Sequence, residues 1–205
     1  MGLKSVSQII SDNAKADPNR PTITHEDRTI SRQELDLSTN RLARAYEKLG
    51  VCAGDMVTVA LPNSIEFYEA CIATWKLGAT PQPISARLPK MEREAIVELA
   101  DPAIVVGAEP GSHGKRTILP IGYEAAPSLS DAPLPDKTAK CWKAPTSGGS
   151  TGRPKIIVSE SPGAFDFSLA LPLRQQRNRA QLVSGPLYHN GPFSFSMNGL
   201  YLGNH

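Results

Sequence analysis

Residues 56–106 alternate apolar, β-rich runs with stretches of helical period, and this alternation restricts the fold more than any other feature of the chain. Residues 56–61 form the first run. Asn63, with Glu66 three positions on, reads as the cap of a helix that carries Phe67, Ala70, Cys71, Thr74 and Trp75 and ends at Gly78. Residues 80–84 are a second extended run, which Pro81 and Pro83 confine to a sheet edge or to extended coil. Residues 89–100 read as another helix, stopped before Pro102, and residues 103–106 as a third strand. Strands alternating with helices of this length build βαβ crossovers, so the predicted class is α/β with a largely parallel sheet.

The flanking segments have their own signals. Ser5 with Gln8 makes a capping box before an apolar helical face of Val6, Ile9 and Ile10. Residues 22–25 and 28–30 flank a Glu-Asp turn and read as a hairpin. Ser31 with Glu34 forms a second capping box, and Leu35, Leu42, Tyr46 and Leu49 follow near one face until Gly50. From 107 to 140 the pattern weakens under repeated Pro and Gly, which suggests a surface excursion joining two lobes. The expected organisation is a βαβ lobe over 1–106, an irregular connection over 107–140, and a second lobe over 141–205. In that lobe, strands are expected over 141–144, 155–159 and 181–184, and helices over 164–171 and 193–202.

Composition excludes several function classes. With 205 residues, 40% hydrophobic and 20% charged, the chain has the make-up of a soluble globular protein. A net charge of +2 is too small to argue for nucleic acid, and the cluster Arg174, Arg177 and Arg179 reads as solvated surface. Cys52, Cys71 and Cys141 are odd in number and lack CxxC spacing, which fits a reducing cytoplasm better than a disulfide framework or zinc site. Residues 1–11 lack the apolar core of a signal peptide. Residues 181–204 carry no full charge, but Pro186, Pro192, Asn190, Asn198 and His189 argue against a membrane span and for a buried, site-lining segment.

The chemistry concentrates in residues 146–155, TSGGSTGRPK. Glycines let backbone N–H groups approach an anion, hydroxyls donate to phosphate oxygens, and Lys155 supplies a point charge. The spacing is not that of a Walker A loop: the position five after Gly148 is Arg153, and Pro154 blocks a helix in that register.

The order of these ten residues closely resembles the phosphate-binding signature of the adenylate-forming superfamily, Thr-Ser-Gly-[Ser/Thr/Gly]-[Ser/Thr]-Thr-Gly-x-Pro-Lys. That superfamily holds acyl-CoA synthetases, luciferases and peptide-synthetase adenylation domains. Three further segments resemble it in the same order: residues 30–35 (ISRQEL), residues 75–79 (WKLGA) with Pro83, and residues 186–193 (PLYHNGPF), which is similar to a motif of acid–CoA ligases. The resemblance covers the chain from about Ser5 onward and is weakest over 107–140.

The resemblance implies activation of a fatty, aryl or steroid-like carboxylic acid by ATP to an acyl-adenylate, followed by transfer to CoA, with Mg²⁺ accompanying the nucleotide. It implies that amides near Gly148, Gly149 and Gly152 cradle phosphates, that Thr146, Ser147, Ser150 and Thr151 donate hydrogen bonds, and that Lys155 balances charge on the leaving pyrophosphate. His189, read alone, is a core histidine satisfied by backbone groups. The motif places it instead at the acyl-pocket wall with Tyr188 and Asn190. The family's adenine, ribose and hinge segments, and its C-terminal lysine, lie beyond what these 205 residues match. The expectation is therefore an N-terminal portion, poorly soluble and with little turnover by itself. The alternative is a truncated relative that retains only nucleotide or acid binding.

Overall fold

The computed structural model describes residues 2–147, 154–168 and 175–205. Strand β1 (Lys4–Ser5) leads into helix α1 (Val6–Ala16), whose cap is Ser5: its hydroxyl accepts from the Gln8 amide. The reciprocal half of the expected box is not made, because Gln8 donates its side-chain amide to Asp12 at 2.6 Å. Strands β2 (Pro21–His25) and β3 (Arg28–Ser31) form the predicted hairpin. Helix α2 (Arg32–Lys48) begins on a complete capping box, Ser31 receiving the Glu34 amide and Glu34 receiving the Ser31 amide. Such a cap is worth about 1 kcal/mol.

The predicted βαβ rhythm is present. Strand β4 (Met56–Val59), helix α3 (Ile65–Lys76), strand β5 (Thr80–Pro83), helix α4 (Lys90–Ala100) and strand β6 (Ile104–Val106) follow in order. The cap of α3 is Ser64, not Asn63; its hydroxyl accepts from Phe67. A fourth strand, β7 (Thr117–Leu119), comes from the segment expected to be irregular. The sheet runs β5-β4-β6-β7, all parallel. Pro81 and Pro83 are tolerated because β5 is an edge with a single neighbour in the sheet. At Gly107 a Cβ would meet the Ala60 carbonyl oxygen at 2.6 Å, so only glycine allows β6 to leave the sheet there.

One apolar core runs from Val6, Ile9 and Ile10 of α1 through Val57, Val59 and Ile104 of the sheet to Phe67, Cys71 and Trp75 of α3. It continues into Phe193, Met197 and Tyr201 of helix α5 (Asn190–Tyr201). Trp75 lies within this core, donating its indole N–H to the Trp142 carbonyl at 2.7 Å. Among the described residues no helix is long and apolar enough to cross a membrane, and Cys52, Cys71 and Cys141 are free thiols.

The C-terminal third departs from its reading in four places, the briefest being the strand expected over 155–159, which ends at Ile156. Residues 141–144 do not form a strand, yet they are bonded on both sides: Trp142 N–H to Ser161, Ser159 N–H to Lys143, and Ala144 N–H to Pro81 of β5. Pro145 has no N–H and interrupts the ladder, so regular pairing appears only as β8 (Thr146–Ser147) with β9 (Lys155–Ile156). The helix expected over 164–171 is replaced at its start by strand β10 (Ala164–Phe165), paired antiparallel with β1; residues 169–171 lie outside the described set. Residues 181–184 are not a strand, although Gln181 donates to His205 at 2.7 Å.

Candidate active site

A cavity of about 600 Å³ opens beyond the carboxyl end of β5, the end of a parallel strand where open α/β sheets bind ligands. Its apolar wall is Ile84, Leu88, Ile96 and Ile157. Its polar wall joins Thr146 and Ser147, the first residues of the glycine-rich signature, to Tyr188, His189 and Asn190. Two motifs more than thirty residues apart in sequence thus face one space.

Each polar group is delivered by a traceable structure. Thr146 and Ser147 lie across β8–β9 from Ile156 and Lys155. Behind them a buried relay crosses from the sheet: Thr58 donates its hydroxyl to Gln82 Oε1 at 2.7 Å, and Gln82 Nε2 donates to Thr146 Oγ1 at 2.9 Å. Because Thr146 accepts this bond, its own hydrogen is left to donate toward a ligand oxygen. Lys155 is exposed, opposite Ser147, and is not among the cavity-lining residues. Gly148, Gly149, Ser150, Thr151 and Gly152, named above as phosphate ligands, lie outside the described residues.

The segment bearing Tyr188 is docked by Asn63. Its amide donates to the Gly185 carbonyl at 3.0 Å, and its carbonyl oxygen accepts the Leu187 N–H at 2.8 Å. Asn63, read from sequence as a helix cap, therefore holds the site loop instead. His189 stands at the N-terminus of α5, exposed, with its ring 4.3 Å from that of Tyr188. Exposure removes the reading of His189 as a satisfied core histidine. Helix α5 is in turn anchored by edge-to-face contacts of Phe193 with Phe67, Trp75 and Trp142.

Sequence reasoning missed Gln82 and Lys143. Lys143 also lines the cavity and is only 7% exposed. Its ammonium sits 4.2 Å from the Trp142 ring centroid and 5.3 Å from that of Phe193, and donates to the Ser194 hydroxyl. Burial pushes its pKa down to about 8. The available signals were a lysine three residues before the turn and a glutamine between two prolines in an apolar strand, and neither marks a site without the fold.

Tyrocidine synthase 1 of Brevibacillus parabrevis is 29% identical over 168 residues, 78% of this chain and 15% of that protein. Syringomycin synthase SyrB1 of Pseudomonas syringae pv. syringae is 28% identical over 197 residues, 93% of this chain and 32% of that protein. The crystal structure of o-succinylbenzoate CoA synthetase (MenE) from Bacillus subtilis, in complex with the acyl-adenylate intermediate OSB-AMP, superposes with a TM-score of 0.78 at 17% identity. That superposition covers 100% of this chain and 56% of the other, so the two share a fold. The chain therefore spans about half the length of that structure and a third or less of these two curated relatives. The family described as AMP-binding enzyme matches residues 10–204. That match spans nearly every element described above, and with both motifs on one cavity, the chain belongs to the AMP-binding enzyme family.

Proposed function

We propose that the protein activates a carboxylic acid with ATP, giving an acyl-adenylate and pyrophosphate, and that CoA is the thiol that then displaces AMP. The observation that carries this reading is the shared cavity: the glycine-rich signature begins at Thr146 and Ser147 on one wall, and an apolar surface with Tyr188, His189 and Asn190 forms another. The acid's carboxylate is already a nucleophile for the α-phosphorus, so the site's task is alignment and charge neutralisation. In this reading the amides of Gly148, Gly149 and Gly152 and the hydroxyls of Thr146, Ser147, Ser150 and Thr151 hold the phosphates. Lys155 neutralises the departing pyrophosphate, and Mg²⁺ arrives with ATP. Tyr188, His189 and Asn190 wall the end of the acid that reacts, while its body lies on Ile84, Leu88 and Ile96. The similarity to PLYHNGPF motifs of acid–CoA ligases supports CoA as the acceptor, whereas the peptide-synthetase relatives support adenylation alone.

A second reading is that these 205 residues bind nucleotide and acid without turnover. ATP–pyrophosphate exchange, with ATP binding measured in parallel, separates the two. We expect ATP binding that Lys155→Ala weakens about tenfold, with little exchange from the chain by itself. Robust exchange overturns the second reading. Absence of ATP binding, or affinity unchanged by Lys155→Ala, overturns the assignment of the turn.

A further inference from the structure

The cation inside this cavity has no carboxylate to balance it. Among the described residues no Asp or Glu pairs with Lys143, and the residues outside that set contain no Asp or Glu. An ammonium has three N–H donors. One goes to Ser194 Oγ, whose own hydrogen goes to the Asn190 carbonyl at 2.7 Å, and the other contacts shown are the two aromatic faces. Those faces attract a cation without neutralising it. The backbone is fixed on both sides, by Ser159 N–H on the Lys143 carbonyl and by Ala144 N–H on Pro81, so the side chain is held at the cavity wall. A buried ammonium in this state is costly unless an anion arrives.

Two anions enter the proposed reaction. In the function proposed above the phosphates go to residues 146–155. Among the described residues lining the cavity no other Lys or Arg is present: the remaining titratable side chains are Glu92 at its exposed rim, Tyr188 and His189. We propose that Lys143 receives the carboxylate of the substrate acid, and that it selects acids carrying no ammonium group beside that carboxylate. The proposal rests on the adenylation reading and specifies its substrate class. An α-amino acid would set its ammonium close to that of Lys143, with Glu92 the single lining carboxylate, out at the rim. A monocarboxylate with an apolar body matches both the cation and the wall of Ile84, Leu88, Ile96 and Ile157.

The test is isothermal titration of the chain with octanoate, octanamide and 2-aminooctanoate, and separately with Mg·ATP. Octanoate is expected to bind about tenfold tighter than either analogue. Lys143→Met removes that preference while leaving octanamide affinity unchanged, and Lys143→Arg keeps it. Because the ammonium titrates near pH 8, wild-type affinity for octanoate falls about fivefold or more between about pH 7.5 and pH 9.5, and the methionine variant shows no such fall. Should Lys143→Met fail to fold, the pH series and the 2-aminooctanoate comparison decide on the wild-type chain. Equal binding of octanoate and 2-aminooctanoate, no binding of octanoate, or unchanged octanoate affinity in a folded Lys143→Met overturns the proposal. So does a Lys143→Met that weakens Mg·ATP and spares octanoate, which assigns the cation to phosphate. Selective octanoate binding without Mg·ATP binding upholds Lys143 and overturns the nucleotide reading instead.

Discussion

Two lysines are buried among the described residues, and their surroundings differ in kind. Lys76, 1% exposed between α2 and α3, donates to Asp36 Oδ1 and to Asn40 Oδ1, each at 2.6 Å, and to the Asp36 carbonyl at 3.2 Å. All three of its hydrogens have oxygen partners. Lys143 has one hydroxyl and two rings. Burial lowers the pKa of both, but at Lys76 the Asp36 charge and hydrogen bond oppose the shift, whereas at Lys143 desolvation is the sole cause. The first is a closed network inside the scaffold. The second is an open one on a cavity wall, and an unbalanced charge held in place is what a binding site requires.

The contrast breaks first at Lys76. Lys76→Met leaves Asp36 without its cation and is expected to cost about 3–5 kcal/mol of stability in urea unfolding. A loss below about 1 kcal/mol would show that the network is not closed in the sense described. Lys143→Met is expected to move the opposite way, stabilising the chain by about 1–3 kcal/mol at pH 7 because it removes an unpaired charge. The sign with pH follows from linkage: the folded pKa, about 8, lies below the unfolded value, so the unfolded chain holds the extra proton between those values. Wild-type stability from this group therefore rises with pH above about 8, and the variant's advantage shrinks toward zero by about pH 10.5. An advantage independent of pH would contradict the assignment of the titrating group. Third comes Gln82→Leu, which leaves Thr58 without its buried acceptor and Thr146 without its donor. It is expected to cost about 1–2 kcal/mol and to weaken ATP binding more than octanoate binding, as read by paired titrations. Equal weakening of both would mean that the relay supports the cavity as a whole.

How much could be read in advance followed the range of the interactions. The capping box of Ser31 and Glu34, the hairpin, and the alternation from β4 to β6 are local patterns, and the structure contains them. Strand β7 was missed because Thr117–Leu119 is only three residues among Pro and Gly, and it becomes a strand through pairing with β6. Asn63 and Ser64 stand side by side with similar cap chemistry, and only the presence of Gly185 and Leu187, more than a hundred residues away, decides between them. Residues 164 and 165 are a strand because β1 lies beside them, which no local propensity encodes.

The site divided along the same line. The contiguous signature of residues 146–155 and the PLYHNGPF motif were visible as strings, and Thr146, Ser147, Tyr188, His189 and Asn190 share the cavity. Lys143 and Gln82 were not visible, because their significance is the absence of one partner and the presence of another across the sheet. A lysine in a sequence is a surface residue by default; only burial without a carboxylate marks it as part of a site.

The most direct test of the account is the crystal structure of the chain bound to octanoyl-sulfamoyl adenosine, a stable mimic of an acyl-adenylate. The account predicts the octanoyl chain on Ile84, Leu88 and Ile96, with the acyl-sulfamate between Lys143 and Thr146. A second cavity, of about 350 Å³, is lined by Thr22, Tyr68, Leu182 and Ser196. An octanoyl chain seated there, with Lys143 left uncontacted, would contradict the account.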